Sequence, residues 1–360
     1  EVLLPHKMSQ FGPTIAIGDI NGDKMEDFYL GGAAGKSGIL YIQKSNGTFN
    51  ETKLGAWTAD RESEDMGAAF VDIDGDTDLD LFVVSGGNEF NVGDPSLQDR
   101  LYINDGRGNF TKKTNALPKY LSSGSCVLPF DFDKDGDMDL FVGGRLVPKK
   151  YPYAADSYLL ENKGGRFTNV TQEKANEMQA LGMVTDARWV DYNKDGRQDL
   201  IVVGEWMPIT IFEQTSSGKF GKRIIDDSEG WYYSVETADM DGDGDEDIIA
   251  GNLGLNYKYK ASKEAPFEVY SSDFDNNGSL DIVLSYYEHG IAFPVRGKSC
   301  STQQIPSLSE KFQTYESFGD SDLKNIYGSS LETALNLKAK TFASADIENE
   351  GNNSFNVKPL

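Results

Sequence analysis

One nine-residue pattern, written six times, constrains this chain more than any other feature. The copies are "DINGDKMED" (19–27), "DIDGDTDLD" (72–80), "DFDKDGDMD" (131–139), "DYNKDGRQD" (191–199), "DMDGDGDED" (239–247) and "DFDNNGSLD" (273–281). Every copy has Asp or Asn at positions 1, 3 and 5 and Asp at position 9. A solvated acidic turn needs no such spacing, so the pattern serves a structure. The apolar residues keep the same register. Position 2 is Ile20, Ile73, Phe132, Tyr192, Met240 or Phe274, and position 10 is Phe28, Leu81, Leu140, Leu200, Ile248 or Ile282. Short β-like runs such as "TIAIG" and "AAFV" precede the loops, and runs such as "DLFVVSGG" and "DLIVVG" follow them. Each copy is therefore predicted to join two buried strands.

A second element follows most loops: "YIQKSNGTF" (41–49), "YINDGRGNF" (102–110), "LLENKGGRF" (159–167), "IFEQTSSGKF" (211–220) and "DIENEGNNSF" (346–355). An apolar pair, a polar glycine turn and a Phe read as an outer hairpin. Four antiparallel strands repeated radially make an all-β fold, a β-propeller. The uneven spacing of the loops predicts blades with variable insertions. "SLSEKFQTYESFG" (307–319) and "SSLETALNLKAK" (329–340) read as helical, with Ser307/Glu310 and Ser329/Glu332 as capping boxes and Gly319 as a C-cap. The chain is thus expected to be one propeller domain over 1–360 with a partly helical insertion at 299–340, cut from a longer protein.

The loops themselves are metal sites on their chemistry. An EF-hand closes with a Glu at position 12, but here that position is Leu30, Val83, Val142, Val202, Ala250 or Leu284. Side chains at positions 1, 3, 5 and 9 with the carbonyl of position 7 still supply enough hard oxygens for a cation with six to eight ligands, and calcium fits best. The predicted ligands are Asp19, Asn21, Asp23, Met25 and Asp27 in the first loop and Asp72, Asp74, Asp76, Asp78 and Asp80 in the second. The third offers Asp131, Asp133, Asp135, Asp137 and Asp139, and the fourth Asp191, Asn193, Asp195, Arg197 and Asp199. The fifth offers Asp239, Asp241, Asp243, Asp245 and Asp247, and the sixth Asp273, Asp275, Asn277, Ser279 and Asp281. Up to six Ca²⁺ would then staple the inner hairpins. Glycine at position 6 supplies a left-handed turn in the last four loops, whereas Lys24 and Thr77 stand there in the first two. Those two sites are expected to be distorted, weaker or differently filled.

Other classes are disfavoured. With 34 basic and 58 acidic residues the net charge is −24, which repels nucleic acid. No run of 18 apolar residues is present, so no membrane span is expected. Cys126 and Cys300 fit neither a disulfide framework nor a metal motif, and two histidines, His6 and His289, leave little room for a catalytic triad. "GGAAGKSG" (31–38) misses the phosphate-loop spacing and reads as a plain loop.

The six motifs, with the literal Phe11-Gly12-Pro13 ahead of the first, make the chain similar to the FG-GAP/VCBS repeat family, which includes the integrin α-subunit propeller and many secreted bacterial surface proteins. The resemblance implies a commonly seven-bladed propeller, and six loops with an orphan hairpin at 341–357 admit seven blades or six. Metal loops and glycine turns would share one face, and the long aromatic segments 86–100, 143–157, 204–208 and 251–266 the other. On that second face Arg145, Tyr151, Tyr153, Trp206, Tyr257 and Tyr259 are candidate contacts for a protein or glycan, with packing of the loops as the competing role. The leading expectation is an extracellular or cell-surface adhesion module, monomeric as this stretch of chain. The alternative is a polysaccharide lyase or hydrolase on a calcium-bearing propeller.

Overall fold

The computed structural model describes residues 4–52, 55–351 and 354–360. Its described strands form six four-stranded antiparallel units, of which the fourth and fifth are joined into one eight-stranded sheet through Glu205↔Trp231 and Met207↔Gly230. Unit 1 is Ile15–Gly18, Asp27–Leu30, Ile39–Gln43 and Phe49–Thr52. Unit 2 is Glu64–Val71, Asp80–Gly86, Arg100–Ile103 and Thr111–Lys112. Unit 3 is Ser123–Phe130, Asp139–Leu146, Tyr158–Asn162 and Phe167–Asn169. Unit 4 is Met183–Val190, Asp199–Met207, Thr210–Gln214 and Phe220–Ile224. In each, an acidic loop joins the first two strands and a glycine turn the last two, as a radial propeller requires.

The orphan hairpin is not a unit of its own. Ala345–Asn349 pairs with Asp247–Asn252, through Ala250↔Ala345 and Ile248↔Ile347, so it completes unit 5 with Gly230–Ala238 and Phe355–Pro359. The tip of that hairpin, 352 and 353, lies outside the described residues. Residues 253–344 are therefore an excursion inside unit 5, and they carry the sixth loop with them. Unit 6 also breaks the strand order, because Leu335–Ala339 pairs with its first strand, Phe267–Ser272, and Ile291–Pro294 with its second, Asp281–Glu288.

Five short helices, from Lys298–Gln304 to Ser330–Thr333, fill the span between those strands. Thr314 and Asp322 cap two of them through side-chain oxygens, while Ser307 and Ser329 make no side-chain cap. Asp320, not Gly319, is the C-cap of Tyr315–Gly319. Residues 335–339, which read as helix, are strand: the pairing with Phe267–Ser271 outweighs their local helix propensity.

Core packing follows the arc of units 1 to 5, whose first strands lie side by side. Each unit presents residues paired with loop positions 10 and 12 to the unit before it. Phe70 and Ala68 of unit 2 pack on unit 1, Trp189 and Ala187 of unit 4 on unit 3, and Val235 of unit 5 on unit 4. Ile15 and Ile17 hold the same positions in unit 1 and are 53% and 58% exposed. Unit 6 lies outside this stacking. Its Phe267, Val269 and Leu284 pack against Leu146, Trp206 and Trp231 at the strand ends far from the acidic loops. Among the described residues no helix is long and apolar enough to cross a membrane.

Candidate metal loops and the face behind them

All six loops share one hydrogen-bond scheme. The position-1 Oδ2 accepts the position-6 N–H at 2.8–3.1 Å, from Lys24 to Asp19 through Gly278 to Asp273. The position-5 Oδ1 accepts the position-7 N–H at 2.8–3.1 Å. These bonds curl the backbone so that side-chain oxygens face inward. In four loops the carboxylates of positions 1, 3 and 9 converge to within 4.8 Å of one another: Asp72/Asp74/Asp80, Asp131/Asp133/Asp139, Asp239/Asp241/Asp247 and Asp273/Asp275/Asp281. The first and fourth loops carry Asn21 and Asn193 at position 3, an amide oxygen where the others have a carboxylate. Position 5 stands outside the converging groups, and Asp195 is further engaged by the guanidinium of Arg197.

The distortion expected of the first two loops is absent from their backbone. Lys24 and Thr77 take φ of 68° and 76°, alongside 99° at Gly136. The position-1 carboxylate holds the position-6 N–H in every loop, and that bond enforces the left-handed turn where no glycine eases it.

Position 9 is the pivot. Asp27, Asp80, Asp139, Asp199, Asp247 and Asp281 are all buried. In five loops one of the aspartate's oxygens accepts the position-2 N–H, at 2.8–3.4 Å. The other oxygen accepts the N–H of an amide-bearing residue at the end of the third strand: Gln43, Asn104, Asn162, Gln214 or Asn349, at 2.7–2.8 Å. Those side chains in turn reach across to the preceding unit. Asn104 Nδ2 donates to the Ile20 carbonyl at 2.7 Å, Asn162 to Ile73 at 2.8 Å, Gln214 Nε2 to Phe132 at 2.6 Å and Asn349 to Tyr192 at 2.8 Å. Sequence reasoning missed this belt, although an amide stands at one register in all five outer hairpins. Unit 6 shows no such link among the described residues: Gln304, on a helix, accepts the Ile282 N–H and donates to the Ile282 carbonyl, both at 3.0 Å.

The electrostatics suit a bound cation. Burial, reinforced by neighbouring loop carboxylates, pushes Asp80, Asp139 and Asp199 up to about 7 and Asp78 and Asp281 up to about 6, against the pull of backbone N–H groups on the position-9 residues. Asp74 Oδ1, Asp78 Oδ1, Asp199 Oδ2 and Asp245 Oδ1 are buried oxygens without a hydrogen-bond partner. Orphaned buried oxygens beside converging carboxylates match the donor set of a hard divalent ion.

The opposite face differs from expectation in what its aromatic residues do. Tyr151 and Trp206 are buried, with Trp206 Nε1 donating to the Tyr151 hydroxyl at 2.5 Å and the indole stacked 5.8 Å from Phe267. Tyr257 and Tyr259 are half-buried in the same cluster, and Tyr153 is half-buried. Arg145 is buried too: it pairs with the Glu205 carboxylate, donates to the Met183 carbonyl at 3.2 Å and lies 4.9 Å from the Phe11 ring centre. His6 Nε2 sits 3.3 Å from the same Glu205, and burial lowers its pKa. Unit 6, through Phe267, and the N-terminal segment, through His6 and Phe11, pack these loops into an interior.

Residues 19–83, 85–142 and 191–250, just over half of the chain, match the model of the FG-GAP-like repeat. Among solved structures, an Agrocybe aegerita lectin described as recognising non-reducing terminal N-acetylglucosamine aligns over 96% of this chain and 93% of its own, at 17% identity and a TM-score of 0.41. The V. cholerae biofilm matrix protein Bap1 aligns over 96% of this chain and 65% of its own, at 11% identity and a TM-score of 0.35.

Proposed function

Because the chain belongs to the FG-GAP-like repeat family, we propose that it is a calcium-stapled propeller that presents the side opposite its metal loops to a protein or glycan partner outside the cell. The observation that carries the metal reading is the approach of three carboxylates to within 4.8 Å in each of four loops, two of which also hold buried oxygens with no hydrogen-bond partner, on Asp74 and Asp78 in the second and on Asp245 in the fifth. Calcium would be held by the converging positions 1, 3 and 9, with position 5 and the carbonyl of position 7 completing its shell, and would replace mutual repulsion with shared coordination. Loops of this openness suit extracellular calcium, where dissociation constants of about 10⁻⁴–10⁻³ M suffice. The binding reading rests on the division of labour: the acidic loops serve the scaffold and the strand 2–3 loops of units 3 and 4 are packed under unit 6, which leaves those of units 1 and 2 and the adjoining unit links for recognition.

Thermal and urea unfolding in excess chelator and in 10 mM calcium test the metal. With a dissociation constant of roughly 10⁻⁴ M, each site filled only in the folded chain adds about 2.7 kcal/mol. Coincident curves in the two conditions reject structural calcium. A glycan array tests the partner: retention without chain cleavage supports a binding module, and new reducing or unsaturated ends replace it with an enzyme.

A further inference from the structure

Unit 2 has the shortest outer strand of the arc, two residues at Thr111–Lys112 against five at Phe220–Ile224 in unit 4 and five at Phe355–Pro359 in unit 5. The chain leaves the sheet edge after Lys113, whose N–H still donates to the Leu101 carbonyl at 2.9 Å. Between the departing link, the strand 2–3 segment from Gly93 and the link residues Asp60 and Ser63 lies a cavity of about 530 Å³. That volume falls within the range of roughly 300–1,000 Å³ typical of small-ligand sites. Its walls come from the strand 2–3 loop and the unit links, which the proposed function assigns to recognition, and from Arg100, Leu101 and Lys112 of the outer strands.

The charge of these walls runs against that of the chain. In a molecule of net charge −24, Lys112, Lys113 and Lys119 all line this one hollow. Lys112 is taken by Asp60 at 2.5 Å, and the buried Arg100 by Asp65 at 2.8 Å. The buried Asp99 is sealed by the Tyr120 hydroxyl at 2.8 Å and the Ser85 N–H at 2.7 Å. Lys119 makes no ion pair among the described residues, and the partner of Lys113 is Asp74 at 3.8 Å, itself a position-3 residue of the second loop. Asp74 already belongs to the converging carboxylates of that loop, so a cation bound there would compete with Lys113 for its charge. Lys119 and the loosely held Lys113 thus face a ligand, beside the amide of Asn115, the amide of Gln98, whose Nε2 also donates to the Pro118 carbonyl at 3.3 Å, and an apolar floor that includes Leu101 and Leu117. Ammonium groups for a carboxylate, amides for hydroxyls and leucines for C–H faces are together the chemistry of one ligand class.

We infer that this cavity binds a carboxylate-bearing sugar of the uronic acid type. The inference rests on the reading of the chain as a binding module and names one ligand of that side. Calorimetric titration with trigalacturonate in 1 mM calcium, beside the neutral trimer maltotriose and the acidic peptide triglutamate, provides the test. The expected result is binding of trigalacturonate that weakens with added sodium chloride, no measurable binding of maltotriose and weaker binding of triglutamate. Lys113→Gln/Lys119→Gln should lower the affinity at least tenfold with an unchanged melting temperature, and Lys113→Arg/Lys119→Arg should retain it. Absence of trigalacturonate binding, equal binding of either control, or an affinity indifferent to the double glutamine variant overturns the inference. If the array still retains other glycans while the cavity fails these tests, the binding-module reading stands and this site does not. An array that retains nothing, with no trigalacturonate binding, removes both.

Discussion

Replacing Asn162 by alanine probes the belt that ties one unit to the next. Its side chain is fully buried, donates from Nδ2 to the Ile73 carbonyl of unit 2 at 2.8 Å and accepts the Gly165 N–H at 3.0 Å. The backbone N–H, bonded to Asp139 at 2.7 Å, survives the substitution. Asn162→Ala therefore strands one buried carbonyl and one buried N–H, at about 1–3 kcal/mol for each unsatisfied group, so a loss of about 2–4 kcal/mol is expected after partial relaxation. Gln43 is the internal control. It holds the same register, and its N–H bonds Asp27 at 2.7 Å, but its half-buried side-chain amide makes no hydrogen bond among the described residues. Gln43→Ala should cost less than about 0.5 kcal/mol. Urea unfolding followed by tryptophan fluorescence at fixed calcium reads both variants. Equal shifts in the two, or a loss below about 1 kcal/mol for Asn162→Ala, would refute the claim that these amides hold adjacent units together.

Two further substitutions test local conclusions. Thr77 is a β-branched residue at φ 76°, so Thr77→Gly should raise stability by about 1 kcal/mol in the same urea assay, and a loss would show that the turn does not strain it. Asp99 bears on pH. Burial pushes its carboxyl up to about 7 against the pull of the Ser85 N–H and the Tyr120 hydroxyl, whereas in the unfolded chain it titrates near ~3.9. Between those values the folded state holds a proton that the unfolded state has released, so this group's contribution to stability falls as pH rises from about 4 to about 7. Asp99→Asn removes that slope, and its stability should decline less than the parent's between pH 5 and 7.5. Parallel pH curves would contradict the assignment.

What the sequence revealed, and what it hid, follows from how local each constraint is. The inner hairpins were legible because each repeats its whole pattern of oxygen-bearing and apolar side chains within a short stretch, as Asp72 to Leu81 shows. The outer hairpins were legible from their glycine turns. The excursion at 253–344 was not, because the sixth loop has the same local signature as the other five and its place is decided by a distant pairing, Ala250 with Ala345. "LNLKA" misled for the same reason, its strand character coming from Phe267–Ser271. The aromatic candidates show the limit most plainly. Trp206 and Tyr151 have the composition of a sugar platform, and only the position of Phe267 shows that they are core.

The position-9 aspartates explain why a chain with so large an excursion still closes unit 5. Asp247 needs a third-strand N–H for its second oxygen, and the Tyr192 carbonyl of unit 4 needs an amide donor. Asn349 meets both demands at 2.8 Å each, 102 residues after Asp247. A local alternative would leave a buried carboxylate oxygen, a buried carbonyl, or both unpaired, at about 1–3 kcal/mol for each, and more for the charged group. Loop k therefore touches loop k−1 through two residues: its own position-9 aspartate and the amide that this aspartate holds in place. A metal bound at one loop would tighten the first link of that chain, and the belt would pass the constraint to the unit before it. On this geometry loops 1 to 5 act together as the rim that keeps their units in register, through the position-9 aspartates Asp80, Asp139, Asp199 and Asp247 and the amide-bearing residues they hold.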